Sequence, residues 1–196
     1  MKINKINNLF FQKKLVAKAN VIKKNTPERV NIYELEKEVD KDYFEKISKD
    51  ENWKNAQFLE FIESDFKYLS KGEETIYSME DSSGNVLGLS KISDFMNLKI
   101  LELIETAPKY SIIKRGRRTF KYIGETMLAF IASLCKKEDK YLDIADVVHN
   151  RKVRKFYFNN CGFEDLTCDR AILRKNKIDN FLEHNKAHTS LNIELI

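Results

Sequence analysis

An asparagine and a tyrosine near the C-terminal end of the chain have the spacing of two polar groups on one face of a helix. Residues 150 to 163 read NRKVRKFYFNNCGF, in which Asn150 suits a helix N-cap and Gly162 suits a left-handed helix end. A helix would place the amide of Asn150 and the phenol of Tyr157 on the same side, about 10 Å from each other. This arrangement favours an extended ligand that lies along the helix.

A second segment suited to chemistry is the basic stretch that precedes a predicted helix. It holds six cations and no acidic side chain: Lys109, Lys114, Arg115, Arg117, Arg118 and Lys121. Free N–H groups and partial positive charge at a helix N-terminus bind phosphate where glycine lets the backbone approach closely. The stretch therefore predicts a diphosphate site, and an exposed surface loop is the alternative interpretation.

The elements that must position these residues follow from hydrophobic periodicity. Strands are predicted at 29–35, 75–79, 86–95, 98–106, 141–145, 162–164 and 170–174. Helices are predicted around 43–47, 58–69, 120–137 and 150–161. The second and third strands form a hairpin, and alternation in the fourth strand places Leu101 and Leu103 on one face. The order of elements is β, α, α, β, β, β, α, β, α, β, β.

This order and the C-terminal motif resemble the GNAT superfamily of N-acyltransferases. In that family an N, F-Y, G-F pattern closes the acyl-CoA site, and the matching positions here are Asn150, Phe156, Tyr157, Gly162 and Phe163. The resemblance covers residues 29 to 174. It implies an α/β (α+β) fold with a mixed, mostly antiparallel central sheet, a V-shaped split between the strands at 98–106 and 141–145, and about four flanking helices.

The resemblance also implies which residues bind the acyl donor. Asn150 would hold the pantetheine arm of acetyl-CoA, and Tyr157 would reach the CoA sulfur as a general acid. Thr106 would contact the donor where its strand ends. These three residues would come from three different elements, which the fold must bring together.

The phosphate loop of the family, R/Q-x-x-G-x-G/A, is matched in part. Gly124 takes the final position, whereas Tyr122 stands at the first glycine and Thr119 at the basic position. The Thr119 hydroxyl would cap the helix or bind phosphate. Three neighbouring cations would replace the missing charge: Arg117, Arg118 and Lys121. The Tyr122 side chain either points away from the phosphates or blocks them, and the surplus of positive charge favours the first interpretation.

Acyl transfer from a thioester to an amine needs a base, hydrogen-bond donors for the oxyanion and a proton for the thiolate. Glu105 is the predicted base, because it is a carboxylate on an otherwise apolar strand. Glu102 is the other carboxylate there, and alternation predicts that it faces the opposite side. A backbone N–H within residues 105–107, just before Pro108, is the predicted oxyanion donor.

Length and composition indicate one ordinary globular domain of 196 residues, of which 42% are hydrophobic and 33% charged. Residues 1–27 hold seven lysines and no acidic side chain, which predicts a solvated basic arm. Residues 28–174 would form the acyltransferase domain. Residues 175–196 would be a C-terminal extension that forms a short helix or packs back on the sheet.

The three cysteines show no CxxC spacing and do not cluster with the histidines, so we expect no metal and a reducing, cytoplasmic location. The apolar runs are too short for a membrane span, and none is expected. Nucleic acid is not expected as a partner of the enzyme. A homodimer is compatible with the sequence.

These observations predict an enzyme that transfers an acetyl group from acetyl-CoA to a primary amine, directly within a ternary complex. The acceptor would be a small-molecule amine, or the lysine or N-terminal amine of a protein. Acidic side chains in residues 40–72, such as Glu45 and Asp50, favour a cationic acceptor. The alternative is a non-catalytic GNAT-like binding module whose basic arm and loop bind nucleic acid or another polyanion.

Overall fold

The computed structural model describes residues 13–35, 41–54, 56, 74–111, 119–145, 154–167, 169–189 and 192–196. The strands within these residues are β1 (Lys14–Lys23), β2 (Thr26–Leu35), β3 (Glu74–Glu80), β4 (Val86–Phe95), β5 (Leu98–Thr106), β6 (Phe120–Lys121), β7 (Tyr141–Ile144), β8 (Glu164–Thr167), β9 (Arg170–Leu173) and β10 (Glu194–Leu195). The helices are α1 (Lys41–Ser48), α2 (Pro108–Ser111), α3 (Ile123–Lys137), a π-helix (Phe156–Asn160) and α4 (Lys175–Thr189).

One sheet contains all the described strands. Its order is β10-β1-β2-β3-β4-β5-β7-β9-β8, and β6 also pairs with β1. Among the described strands, β5 and β7 form the one parallel ladder, and all others are antiparallel. This topology confirms the predicted mixed, mostly antiparallel sheet, including the hairpin of β3 and β4.

Helix α3 packs its apolar side against the sheet. Ile123, Met127 and Phe130 are buried at helical spacing, and the Phe130 ring meets Tyr77 of β3 edge to face at 5.0 Å. A Cβ atom on Gly88 of β4 would lie 2.9 Å from the Ile123 side chain. The glycine therefore lets the first turn of α3 lie directly on the ends of the central strands.

The ladder between β5 and β7 stops halfway along β5. Residues 98–101 pair with residues 141–144, and the last hydrogen bond runs from the Ala145 N–H to the Leu101 carbonyl at 3.2 Å. Strand β5 continues to Thr106 alongside β4, beyond the end of β7. The end of this pairing halfway along β5 agrees with the predicted V-shaped split.

A β-bulge lies at the start of the split. Ile92 of β4 pairs with Leu101, but the adjacent Lys91 pairs with Leu103, so Glu102 is an extra residue in β5. The extra residue interrupts the alternation of the strand. The prediction that Leu101 and Leu103 share a face is therefore wrong, because they oppose consecutive residues of β4 and point to opposite faces.

The N-terminal segment differs from the predicted solvated arm. Strand β1 pairs with β2 along its length, and its Ala17, Ala19 and Val21 side chains are buried. These small apolar residues alternate with Lys18 and Asn20, so one face of the strand enters the core. The prediction of a solvated segment is wrong for residues 14–23.

The C-terminal segment adopts both of the alternatives predicted for it. Helix α4 buries Ile178 and Phe181, and the Phe181 ring lies edge to face with Phe163 at 6.3 Å. Strand β10 then returns to the sheet and pairs with β1. The helix is longer than the prediction around residues 178–182, and it covers the π-helix side of the molecule.

The predicted helix at 150–161 is described only from residue 154 onward. From Phe156 it winds as a π-helix rather than an α-helix, and the Cys161 N–H bonds the Phe156 carbonyl five residues earlier at 3.1 Å. Its predicted N-cap, Asn150, and the predicted helix at 58–69 lie outside the described residues. The described helices are too short or too polar to span a lipid bilayer.

Candidate functional site

A cavity of about 180 Å³ lies in the split between β5 and the π-helix. Its walls come from β5, from the first two turns of α3 and from the π-helix, through the residues Ile104, Thr106, Gly124, Glu125, Leu128, Phe156 and Tyr157. Three predicted site residues, Thr106, Gly124 and Tyr157, therefore meet at one place. We call this cavity the split cavity.

Tyr157 is held by aromatic neighbours within the π-helix segment. Its ring lies edge to face with Phe156 at 5.2 Å and with Phe163 at 5.6 Å, and the residue is 8% exposed. Burial, with smaller contributions from the neighbouring Cys161 and Glu125, raises the pKa of Tyr157 to about 12. The phenol therefore keeps its proton at neutral pH and can donate it.

Gly124 leaves open space in the wall of the split cavity. A Cβ atom at this position would meet only the Thr106 hydroxyl oxygen within 4 Å, at 3.9 Å. The backbone of the first turn of α3 is thus accessible to a ligand that lies in the split. This is the property that a phosphate-binding turn needs.

Tyr122 occupies a left-handed conformation just before α3, with φ of 67°. Its carbonyl accepts the N–H of Thr126 at 2.8 Å and the Thr126 hydroxyl at 2.7 Å, which starts the helix. Glycine normally stands where the chain turns in this way. Tyr122 therefore has a backbone conformation that glycine adopts without strain.

Tyr122 lines a different cavity from Gly124. This neighbouring space of about 100 Å³ also contacts Cys161, and His184 and Asn185 of α4. Burial raises the pKa of the Cys161 thiol to about 12, so it stays protonated at neutral pH. Tyr122 therefore borders the space beside the C-terminal helix and does not line the split cavity.

The backbone of β5 presents a hydrogen-bond donor to the split. The Ala107 N–H donates a hydrogen bond to the Leu87 carbonyl of β4 at 2.9 Å. Of the predicted oxyanion donors, Ala107 is therefore not available. Because alternate N–H groups of an antiparallel strand point to the same neighbour, the Thr106 N–H points away from β4 and toward the split.

Glu105 lies on the other face of the sheet from the split cavity. Its neighbours Ile104 and Thr106 line the cavity, and successive side chains of a strand point to opposite faces. Glu105 pairs with Leu89 of β4, and Leu89 pairs with Ser78 of β3, so the three side chains share a face. Ser78 and Tyr43 of α1 both bond the carboxylate of Glu80, so this is the face on which α1 lies. The sequence singled out this carboxylate but did not show on which face of the sheet it lies.

The other carboxylate of the strand occupies the bulge. Glu102 is exposed and accepts a hydrogen bond from the Ser93 hydroxyl at 2.6 Å. Glu102 and Glu105 were predicted to face opposite sides because side chains alternate along a strand. The bulge interrupts this alternation. Glu102 does not line the split cavity.

The remaining residues of the predicted phosphate loop lie beside the turn between β1 and β2. The Thr119 carbonyl accepts the Lys24 N–H at 3.0 Å, and the Lys121 ammonium bonds the Asn25 side chain at 2.9 Å. The predicted donor-binding residues Arg117, Arg118 and Asn150 are outside the described part of the chain.

Glu125 is a cavity residue that sequence reasoning missed. It lines both the split cavity and the neighbouring space, together with Phe156. Its position directly after Gly124, in the first turn of α3, was the available signal. Within the described ranges, no group of histidine, cysteine and acidic side chains has the arrangement of a metal site.

Comparison with models of known protein families gives no match, and comparison with curated protein sequences gives none either. Solved structures do match. A mutant form of the spermidine/spermine N-acetyltransferase SpeG from Vibrio cholerae is 15% identical with a TM-score of 0.53, covering 77% of this chain and 98% of that chain. A chimera of Vibrio cholerae SpeG and hSSAT is 17% identical with a TM-score of 0.51, covering 77% and 98%.

A third match is an acetyltransferase of the GNAT family from Staphylococcus aureus Mu50. It is 15% identical with a TM-score of 0.50, covering 74% of this chain and 99% of that chain. At such identities the likeness concerns the fold, which many activities share. The mixed sheet, its V-shaped split and these neighbours show that the chain has the GNAT fold, without identifying a subfamily.

Proposed function

We propose that the protein is an N-acetyltransferase that moves the acetyl group of acetyl-CoA to a primary amine by direct transfer in a ternary complex. The observation that carries this proposal is the split cavity, where Thr106, Gly124 and Tyr157 meet. A backbone donor, an open helix start and a protonated phenol are what thioester aminolysis requires.

The residues around α3 fit a diphosphate-bearing donor. Gly124 leaves room for close approach, and the N–H groups of the first turn of α3 are directed at such a group. Thr119 and Lys121 flank this turn, and Arg117 and Arg118 precede it in the chain. We assign these residues and Asn150 to the donor, with Tyr122 pointing away from it.

Acetyl-CoA supplies a thioester whose carbonyl carbon is attacked by the amine. Glu105 takes a proton from the ammonium form of the acceptor, which frees the nitrogen lone pair. The C–N bond forms and the C–S bond breaks, while the Thr106 N–H donates to the oxyanion. Tyr157 gives its proton to the sulfur, and the surplus proton of the new amide restores the phenol through solvent.

The acceptor would approach from the face of α1. Glu105 lies on this face, whereas Tyr157 and Gly124 lie on the face of α3, so the two substrates would meet across the split. A small-molecule amine or an amine of a protein would be acetylated there. We place the enzyme in the cytoplasm, because the described Cys135 and Cys161 are free thiols.

The test is the thermal stability of the protein with and without millimolar acetyl-CoA. Binding to the folded state should raise the melting temperature, because a ligand at 100 times its dissociation constant adds about 2.7 kcal/mol. The variant Gly124→Leu, which fills the space toward Thr106, should lose this effect. Ser133→Leu, on the half-buried part of the same helix, should keep it.

Absence of any shift with the wild-type protein would overturn the proposal. It would then favour the non-catalytic binding module predicted as the alternative. A salt-dependent affinity for nucleic acid would be the matching positive result for that alternative.

A further inference from the structure

A second, larger cavity lies on the other face of the sheet. It has a volume of about 470 Å³ and is bounded by α1, the turn between β3 and β4, and the residue that precedes β1. Its polar lining consists mainly of Lys13, Tyr43, Lys46, Lys49, Asp50 and Glu80. We call it the α1 cavity. It shares no lining residue with the split cavity among the described residues.

The buried carboxylate of the α1 cavity is already compensated. Glu80 is 3% exposed, and it accepts hydrogen bonds from the Lys13 ammonium at 2.6 Å and from the Tyr43 hydroxyl at 2.7 Å. Ser78 lies at 3.4 Å from the same carboxylate. Glu80 is therefore a structural anion and has little capacity to bind a cationic ligand.

The second carboxylate is also engaged, whereas the lysines at the rim are accessible. Asp50 accepts the N–H of Asn52 at 2.8 Å. Lys49 is bonded to Glu45, but both side chains are more than half exposed, at 71% and 59%, so this pair is weak. No residue of the described ranges pairs with the ammonium of Lys46, which is exposed. The lining thus carries three ammonium groups and two carboxylates, a net charge of +1, and Lys46 is the cation that no described residue pairs with.

The α1 cavity is close enough to the split for one acceptor to reach both. Gly88 lies opposite Thr106 in the ladder, and Val86, which lines the cavity, is two residues further along β4. Strand geometry therefore places Val86 about 8 Å from Thr106. The cavity also lies on the face that Glu105 shares, since Ser78 of that face bonds Glu80.

We propose that the α1 cavity holds the far end of the acceptor, and that the acceptor is an amine which carries an anionic group, a carboxylate or a phosphate, separated from it by several bonds. Lys46 and Lys49 bind this group, while Tyr43, Ile47 and Val86 contact the chain between the two ends. This proposal differs from the prediction from composition, which favoured a cationic acceptor such as a polyamine. The inference rests on the proposed acetyl transfer.

Three amines of equal chain length test the inference through the release of CoA thiol from acetyl-CoA. We expect kcat/KM to be about three- to tenfold higher for 6-aminohexanoate than for hexylamine, and lowest for 1,6-diaminohexane. A second arm of the experiment compares the turnover of 5-aminopentyl phosphate with that of pentylamine. Faster turnover in this arm than with 6-aminohexanoate assigns a phosphate, and slower turnover assigns a carboxylate.

The charge-reversal variant Lys46→Glu should abolish the preference for the anionic amines and favour 1,6-diaminohexane. Lys137→Glu, on the exposed last turn of α3, is the matched control and should keep the wild-type order. Equal rates with the three amines, a preference for the diamine, or no turnover of the anionic amines would overturn the inference. Stabilisation by acetyl-CoA is measured in parallel, and its loss would instead contradict the proposed function.

Discussion

Arg170 holds the completely buried carboxylate of Asp143 with two guanidinium N–H groups, one of them at 3.4 Å. Asp143 lies on β7, at the base of the split, and Arg170 lies at the start of β9. The ion pair therefore ties the strand that leaves β5 to its neighbour on the other side. It stabilises the pairing of β7 with β9, and neither residue lines the split cavity.

Replacing Arg170 by methionine should lower the free energy of unfolding by about 2–3 kcal/mol, because the Asp143 carboxylate would be left without its charge partner and without water. Urea denaturation measures the change. Arg29→Met is the matched control, since Arg29 and Glu194 pair at 2.9 Å with both side chains exposed. Similar losses in the two variants would show that burial of Asp143 does not matter.

Tyr157→Phe should lower kcat about 100-fold and leave the acetyl-CoA dissociation constant nearly unchanged, because only the proton donor is removed. Burial raises the pKa of Tyr157 to about 12, so the wild-type rate should not decline through this group between pH 7 and about pH 10. Tyr141→Phe, at the far end of β7, is the control. A wild-type rate for Tyr157→Phe would remove this residue from the chemistry.

Asp94 should make stability depend on pH in the acidic range. Burial works to raise the pKa of Asp94, but hydrogen bonds from Lys140 at 2.6 Å and Lys99 at 3.0 Å outweigh it and lower the pKa below 3.8. A carboxyl with a lowered folded pKa stabilises the protein above its unfolded pKa, and this contribution is lost as the pH falls through the folded value.

The melting temperature of Asp94→Asn should therefore be below that of the wild type at pH 6, and the difference should shrink as the pH falls below 3.8. Differential scanning calorimetry from pH 6 downward measures both proteins. Asp165→Asn, which removes an exposed partner of Arg154, should show a smaller difference throughout. A difference for Asp94→Asn that stays constant with pH would contradict this account.

Two substitutions of Tyr122 separate its backbone from its side chain. Both Tyr122→Ala and Tyr122→Gly lose the contacts of the ring, but only alanine keeps the cost of a Cβ atom at φ of 67°. The glycine variant should be more stable than the alanine variant by about 1 kcal/mol in urea denaturation. If alanine were equally stable or better, the left-handed turn before α3 would not be under strain.

Local patterns predicted the hairpin of β3 and β4, helix α3 and the whole span of β5, because turn residues and apolar periodicity act within a few residues. Strand β1 was missed, since lysines interrupt its small apolar residues and its partners include the distant β10. The identity of Ala17 and Ala19 carries little strand preference by itself. Only pairing with β2 makes their alternation a buried face.

Site residues could be predicted where the residue type alone indicates the role. Gly124 and Tyr157 were identified from their motifs, and both line the split cavity. The facing of Glu105 and of the backbone donors depends on the register of β5 against β4, and no local pattern reveals the shift at Glu102. Tyr122 illustrates the reverse, because the chain makes a left-handed turn there although the residue is not glycine.

The bulge at Glu102 decides which residues of β5 lie on which face of the sheet. The extra residue puts the second half of β5 out of phase with the first half. Counting alternate residues from the start of the strand therefore assigns residues 103–106 to the wrong faces. Deletion of Glu102 would remove the bulge and restore simple alternation, while Leu103 and Thr106 would keep their partners Lys91 and Gly88 in β4. The face of each residue beyond Glu102 follows from its partner in β4 and not from its distance to the start of β5.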